Sequence, residues 1–167
     1  MAIVTMEIRR LMTDLEELVT GFRTAVFGRE VDRAVGLATD DVVLENVPAG
    51  TGAHGADDLR RYLTDDVRVP PDLAFRRLSR TVDQRGLADE SMVSFTHDRP
   101  MPWLLPGVAP SGRRVDVLAV SVVSVRHRSS MGRTTALVAR HRTLWDHAGL
   151  LAQLGLDPAT TPSRPGR

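Results

Sequence analysis

Two histidines stand where a side chain could move a proton. His141 shares a strand face with Leu137, Ala139 and Trp145, which sets a titratable ring among apolar neighbours. Burial disfavours the charged imidazole and lowers its pKa, leaving the ring neutral and able to take a proton near pH 7. A core histidine held by a backbone carbonyl would give the same pattern. His97 ends the run Val93-Ser94-Phe95-Thr96-His97, on the face of Val93 and Phe95, just before a long loop. If the strands flanking that loop pair antiparallel, His97 and His141 converge on one cavity as acid and base. The alternative for His97 is a strand-mouth histidine that hydrogen-bonds the loop. The loop, 99–112, holds four prolines among 14 residues together with Met101, Trp103, Leu104, Leu105 and Val108. Groups of that size gain about 1.5–3 kcal/mol each on burial, so the loop must pack on something. It is either a strap over the core or a lid whose Trp103 or Leu104 touches a flat apolar ligand.

Other chemistries are excluded by what the chain lacks. There is no cysteine, hence no thiolate nucleophile, thiolate metal site or disulfide. All 22 basic residues are arginine, so a lysine Schiff base is impossible. Five histidines, at 54, 97, 127, 141 and 147, never fall at a spacing that sets three ligands on one element. No metal is expected. No glycine-rich phosphate loop follows a strand, so no cofactor is implied either. A net charge of +1 creates no field for nucleic acid or an anionic membrane. No run approaches the roughly 20 apolar residues that cross a bilayer. Residues 1–28 hold no uninterrupted apolar leader, and a cytoplasmic location is expected.

The elements that must position these groups follow from periodicity. Ile8, Leu11, Met12, Leu15, Leu18, Val19, Phe22 and Val26 recur at three and four, predicting a helix over 6–27 with Arg9, Arg10, Glu16, Glu17 and Arg23 off its apolar stripe. Gly28 ends it, and a short second helix follows over 31–38 before the polar Thr39-Asp40-Asp41 cluster. A strand over 42–47, a Gly-rich turn to Gly55 and a helix over 56–65 with Leu59, Tyr62 and Leu63 inward come next. After Pro70-Pro71 the period becomes two, predicting strands at 73–84, 89–98, 113–127 and 133–145, with turns at Arg85-Gly86 and Ser129 to Gly132. A last helix, 146–154, opens on Asp146 and closes on Gly155. Helices first and antiparallel strands later make an α+β order. A single domain over 1–156 is expected, with a Pro- and Thr-rich tail, 157–167, left disordered.

Three stretches resemble the nuclear transport factor 2 superfamily, and within it the SnoaL-like polyketide cyclases. They are Glu45-Asn46-Val47-Pro48 with Gly55, the segment Leu105 to Val115, and Leu144-Trp145-Asp146 with Gln153-Leu154-Gly155. The resemblance implies a cystatin-like, cone-shaped barrel in which a curved antiparallel or mixed sheet wraps the N-terminal helices around a deep pocket. It implies His141 as the main acid or base and His97 as a second proton donor. Asn46 and Ser121 would hold substrate oxygens, and Thr143, Phe95, Trp103, Leu104 and Trp145 are further ligand contacts. Ser121 stands where aldol-closing relatives carry a catalytic aspartate. Thr143 stands where limonene-epoxide-hydrolase-like members carry their second aspartate, and Leu44 replaces their aromatic hydroxyl.

The implied activity is cofactor-independent cyclase, dehydratase or isomerase chemistry on an apolar polyketide-type metabolite. Alternatives are a binding protein for such a metabolite, or an epoxide-opening enzyme that would need Glu45 or Asp98 inside the pocket. Val115 to Val125 is apolar on both parities, with Val117, Ala119, Ser121 and Val123 expected inward and Leu118, Val120 and Val122 outward. Covering the outer set predicts a homodimer.

Overall fold

The computed structural model describes residues 2–130 and 133–158. Among them four α-helices, α1 (Ala2–Phe27), α2 (Val31–Gly36), α3 (Ala56–Asp65) and α4 (His147–Leu154), accompany six strands. The strands are β1 (Ala38–Asn46), β2 (Thr51–His54), β3 (Ala74–Asp83), β4 (Gly86–Thr96), β5 (Arg114–Ser130) and β6 (Arg133–Trp145). They form one sheet in the order β2-β1-β6-β5-β4-β3, antiparallel throughout except for the parallel β1–β6 pair. The sheet is curved and unclosed, with β2 and β3 as its edges, so the α+β cone is open along one side.

Helix α1 fills the concave side because its stripe of Leu15, Val19, Phe22, Ala25 and Val26 is buried. Its end is firmly set. Arg29 adopts a left-handed φ of 56°, the Glu30 amide reaches back to the Ala25 carbonyl at 2.8 Å, and the Arg29 guanidinium donates to the Thr64 carbonyl at 2.9 Å. The tip of α1 is thereby tied to the end of α3. The inward alternation expected for β5 is present: Val115, Val117, Ala119 and Val123 are buried, while Leu118, Val120 and Val122 are exposed on the outer face beside Leu144.

Three local readings are corrected. Strand β1 starts at Ala38, and the polar Thr39-Asp40-Asp41 cluster belongs to it. The Gly-rich segment contains β2, where a Cβ at Gly52 would overlap the Leu44 carbonyl, so the close pairing with β1 requires glycine. Finally, the β5–β6 register slips between Ser124 and Val125, where Arg140 and Val138 are the successive partners. This bulge at Ala139 turns Val138 into the core and Leu137 out of the face of His141. Residues 131 and 132, within the turn expected from Ser129 to Gly132, and residues 159–167 of the expected tail lie outside the described residues.

Candidate functional site

Between α1, the concave sheet face and the loop after β4 lies a mostly apolar cavity. Its lining includes Val26, Leu44, Val67, Val93, Val117 and Ala119, with polar groups at two ends.

At one end, Asn46 closes β1. Its Nδ2 group lies 2.7 Å from the Tyr62 hydroxyl, 3.2 Å from Thr51 Oγ1 and 3.2 Å from the Trp103 carbonyl. The Thr51 hydroxyl donates to the same carbonyl at 2.6 Å, and the Trp103 indole N–H donates to the Arg68 carbonyl at 2.9 Å. Burial pushes the Tyr62 phenol well above its ordinary pKa, so it stays protonated. This cluster latches the loop onto β1, β2 and α3. Met101, Trp103, Leu104 and Leu105 are buried beneath it.

At the other end, neighbouring strands build a polar row. Asp89 of β4 pairs in register with Ser121 of β5, which pairs with Thr143 of β6, and all three side chains share the concave face. A register shift in β3 between Arg77 and Ser79 places Arg80 opposite Asp89. Arg80 grips both Asp89 oxygens, Nε to Oδ1 at 2.6 Å and Nη2 to Oδ2 at 2.5 Å, and reaches Glu16 of α1 at 3.2 Å. Arg23 of α1 lies beside this pair, with its Nη1 3.6 Å from Asp89 Oδ2. The Phe75 ring sits 5.4 Å from its guanidinium carbon.

His141 completes this end. It is 6% exposed, meets Phe22 edge-on at 6.0 Å, and its Nδ1 atom is buried without a hydrogen-bond partner. Desolvation, helped by the charge of Arg23, lowers its pKa to about 4 against the opposing pull of Asp89. The ring is therefore neutral at pH 7. Ser91 Oγ, on the same wall, is also buried without a partner.

The model of the SnoaL-like domain matches residues 19–129, more than half of the chain. This chain belongs to the SnoaL-like domain family. A candidate SnoaL-like polyketide cyclase from Jannaschia sp. CCS1 is 18% identical with a TM-score of 0.67, over 89% of this chain and 96% of that one. IdmH, a candidate polyketide cyclase from Streptomyces antibioticus, is 19% identical with a TM-score of 0.57, over 84% and 98%. SalBIII, an epoxide hydrolase/cyclase-like enzyme in pyran ring formation in the polyether salinomycin, is 17% identical with a TM-score of 0.56, over 82% and 94%. At these identities the likeness shows the fold. No curated protein matches the sequence.

Within this SnoaL-like cavity the structure brings together His141, Asn46, Ser121, Thr143, Trp103, Leu104 and Trp145. His97 and Phe95 do not line it. Phe95 is a fully buried core residue. His97 is fully buried at the root of the loop, where its Nδ1 faces Ser111 Oγ at 3.3 Å and its carbonyl accepts from the Ser111 and Gly112 amides. Burial lowers its pKa too, with Asp98 opposing. Neither possible carboxylate enters the cavity. Glu45 pairs with Arg140 at 2.8 Å and Arg142 at 3.1 Å on the other side of β1, and Asp98 pairs with Arg99.

Three polar lining residues were missed as site groups, Arg23, Ser91 and Tyr62, as were the aromatic rings of Phe27 and Phe75. Tyr62 was legible, as the lone tyrosine of the chain on an inward helix face. It puts an aromatic hydroxyl beside Asn46 from α3, although position 44 is leucine. Among the described residues no group of three or more His, Asp or Glu is placed to hold a metal, and no helix is long and apolar enough to cross a membrane.

Proposed function

We propose that the cavity binds an apolar, polyketide-type metabolite and that His141 exchanges a proton with it, in cofactor-independent cyclase, dehydratase or isomerase chemistry. One observation carries the reading: among the described lining residues His141 is the sole imidazole or carboxylate, burial keeps its ring neutral at pH 7, and the Asp89 carboxylate at this end is tied to Arg80. A neutral imidazole in a site shielded from water can remove a proton next to a carbonyl and return it elsewhere. Ser121 and Thr143, on the same wall as His141, would hold substrate oxygens. His97, sealed away from the cavity, is assigned to the loop. Epoxide opening by paired carboxylates is disfavoured, because Glu45 and Asp98 are engaged outside.

The test is turnover of aromatic polyketide cyclisation precursors, followed by mass spectrometry, for the wild type and His141→Gln. Loss of about a hundredfold or more in rate is expected for the variant. Full retention of activity would overturn the assignment. The second reading, a binding protein, is favoured by Ser121 and Thr143 standing where the resemblance implies acids. Recovery of tightly bound but unchanged ligand would establish it.

A second copy of the chain is the proposed cover for Leu118, Val120, Val122 and Leu144, which are 36–41% exposed on one sheet face. Sedimentation equilibrium should give twice 18.3 kDa, and Val120→Arg should give monomer or insoluble protein. A wild-type monomer would contradict the dimer.

A further inference from the structure

The cationic side of the cavity holds more positive charge than its own carboxylates use. Arg80 and Arg77 lie close enough to Arg23 to act on its charge, with Asp89 opposing them, and Glu16 acts on Arg80. Arg80 occupies both oxygens of Asp89 and also takes Glu16. What remains for Arg23 is a contact of 3.6 Å to an oxygen already engaged, beyond hydrogen-bond distance. Its guanidinium carries five N–H donors in a fixed fork. Among the described residues none of them makes a hydrogen bond to a protein acceptor, and the side chain is only 23% exposed. Half-buried and short of acceptors, it faces the cavity.

The surroundings define what could meet that fork. Phe75 lies 5.4 Å from the Arg23 guanidinium carbon, Phe27 packs on Phe75 at 5.0 Å, and Trp103 packs on Phe27 at 5.5 Å. These rings make a continuous aromatic wall from the arginine to the loop. Phe75 itself is 37% exposed, so this wall reaches solvent and offers a way in. A planar ring fits the wall, and a carboxylate or ionised enol at its edge would receive two parallel N–H bonds from Arg23.

We infer that Arg23 is an anion-binding residue, and that the molecule this cavity takes is a flat apolar acid seated with its anionic oxygens on Arg23 and its ring on Phe27, Phe75 and Trp103. The inference rests on reading the cavity as a small-molecule site and narrows it to a chemical class. It also gives Arg23 a role distinct from that of Arg80, whose donors are consumed within the protein.

The probe pair is 2-naphthoate and its neutral analogue 2-naphthamide, titrated by calorimetry into the wild type, Arg23→Gln and Arg23→Lys. The wild type should bind 2-naphthoate at least tenfold more tightly than 2-naphthamide, with the preference shrinking as salt is raised. Arg23→Gln should lose the preference while keeping its affinity for 2-naphthamide, and Arg23→Lys should retain part of it. Equal affinities in the wild type, or a preference that survives Arg23→Gln, would overturn the anion site and leave the small-molecule cavity standing. Failure of the wild type to bind either probe would overturn both. Equal affinities in the wild type would overturn the anion site whether or not a variant folds, and retained affinity for 2-naphthamide shows that Arg23→Gln is folded.

Discussion

The two polar ends of the cavity are built from similar residues and finished differently. At the loop end, the Asn46 amide, the Thr51 hydroxyl and the Trp103 carbonyl and indole all find partners within the protein. At the sheet end, the Asp89–Arg80 pair is closed, but around it Arg23 has donors to spare and His141 Nδ1 and Ser91 Oγ have no partner. Buried polar groups are nearly always satisfied, and an unsatisfied one costs about 1–3 kcal/mol. The loop end is therefore architecture. On the proposed function, the sheet end is polarity held ready for a ligand.

That contrast can be broken or sharpened by substitution. Asp89→Ala should have the largest effect, a loss of about 3–5 kcal/mol in a denaturant titration, because it strands Arg80 beside Arg23 with Glu16 as its only anion. A loss under about 1 kcal/mol would mean that the pair does not anchor this end. Asn46→Ala should cost about 1–3 kcal/mol through the acceptors it leaves in the latch. Protease cleavage within the loop 97–113 should then quicken relative to the wild type; unchanged cleavage would show that the latch lies elsewhere. The smallest effects form a pair. Thr51→Ala, which loses a bond to the Trp103 carbonyl, should cost about 1 kcal/mol, whereas Ser91→Ala, which loses none, should stay within about 0.5 kcal/mol. Equal costs would erase the distinction between the two ends.

Much of the fold was legible because it follows period and punctuation. The α1 stripe, the alternation of β5 and the capping of α4 by Asp146, whose carboxylate accepts the Gly149 amide at 2.9 Å, need only local pattern. Strand β2 was hidden because Gly50 and Gly52 read as a turn, although one supplies a left-handed φ of 61° and the other a close strand approach. Leu137 was assigned to the wrong face because a single extra residue at Ala139 reverses parity, and nothing in a period-two pattern marks it. In the site, Asn46, Ser121, Thr143 and His141 could be placed by parity and resemblance. Arg23 could not, since a charged residue off an apolar stripe reads as solvated until the sheet is known to curve around the helix. Asp89 was obscured likewise. The predicted strand began on it, whereas β4 starts at Gly86 and carries it three residues into the sheet.

The account stands most directly on the state of His141. Because folding lowers its pKa from 6.5 to about 4, the folded protein binds fewer protons there than the unfolded chain. The associated stability is complete above pH 6.5 and is lost as pH falls toward 4, about 2 kcal/mol of it by pH 5. Nitrogen-15 NMR of the histidine rings, with His141→Gln to assign the signal, reads this group alone. The expected result is a neutral His141 ring at pH 6 that titrates with a midpoint near 4. A midpoint near 6.5 would place the ring in water and contradict the shielded acid–base site.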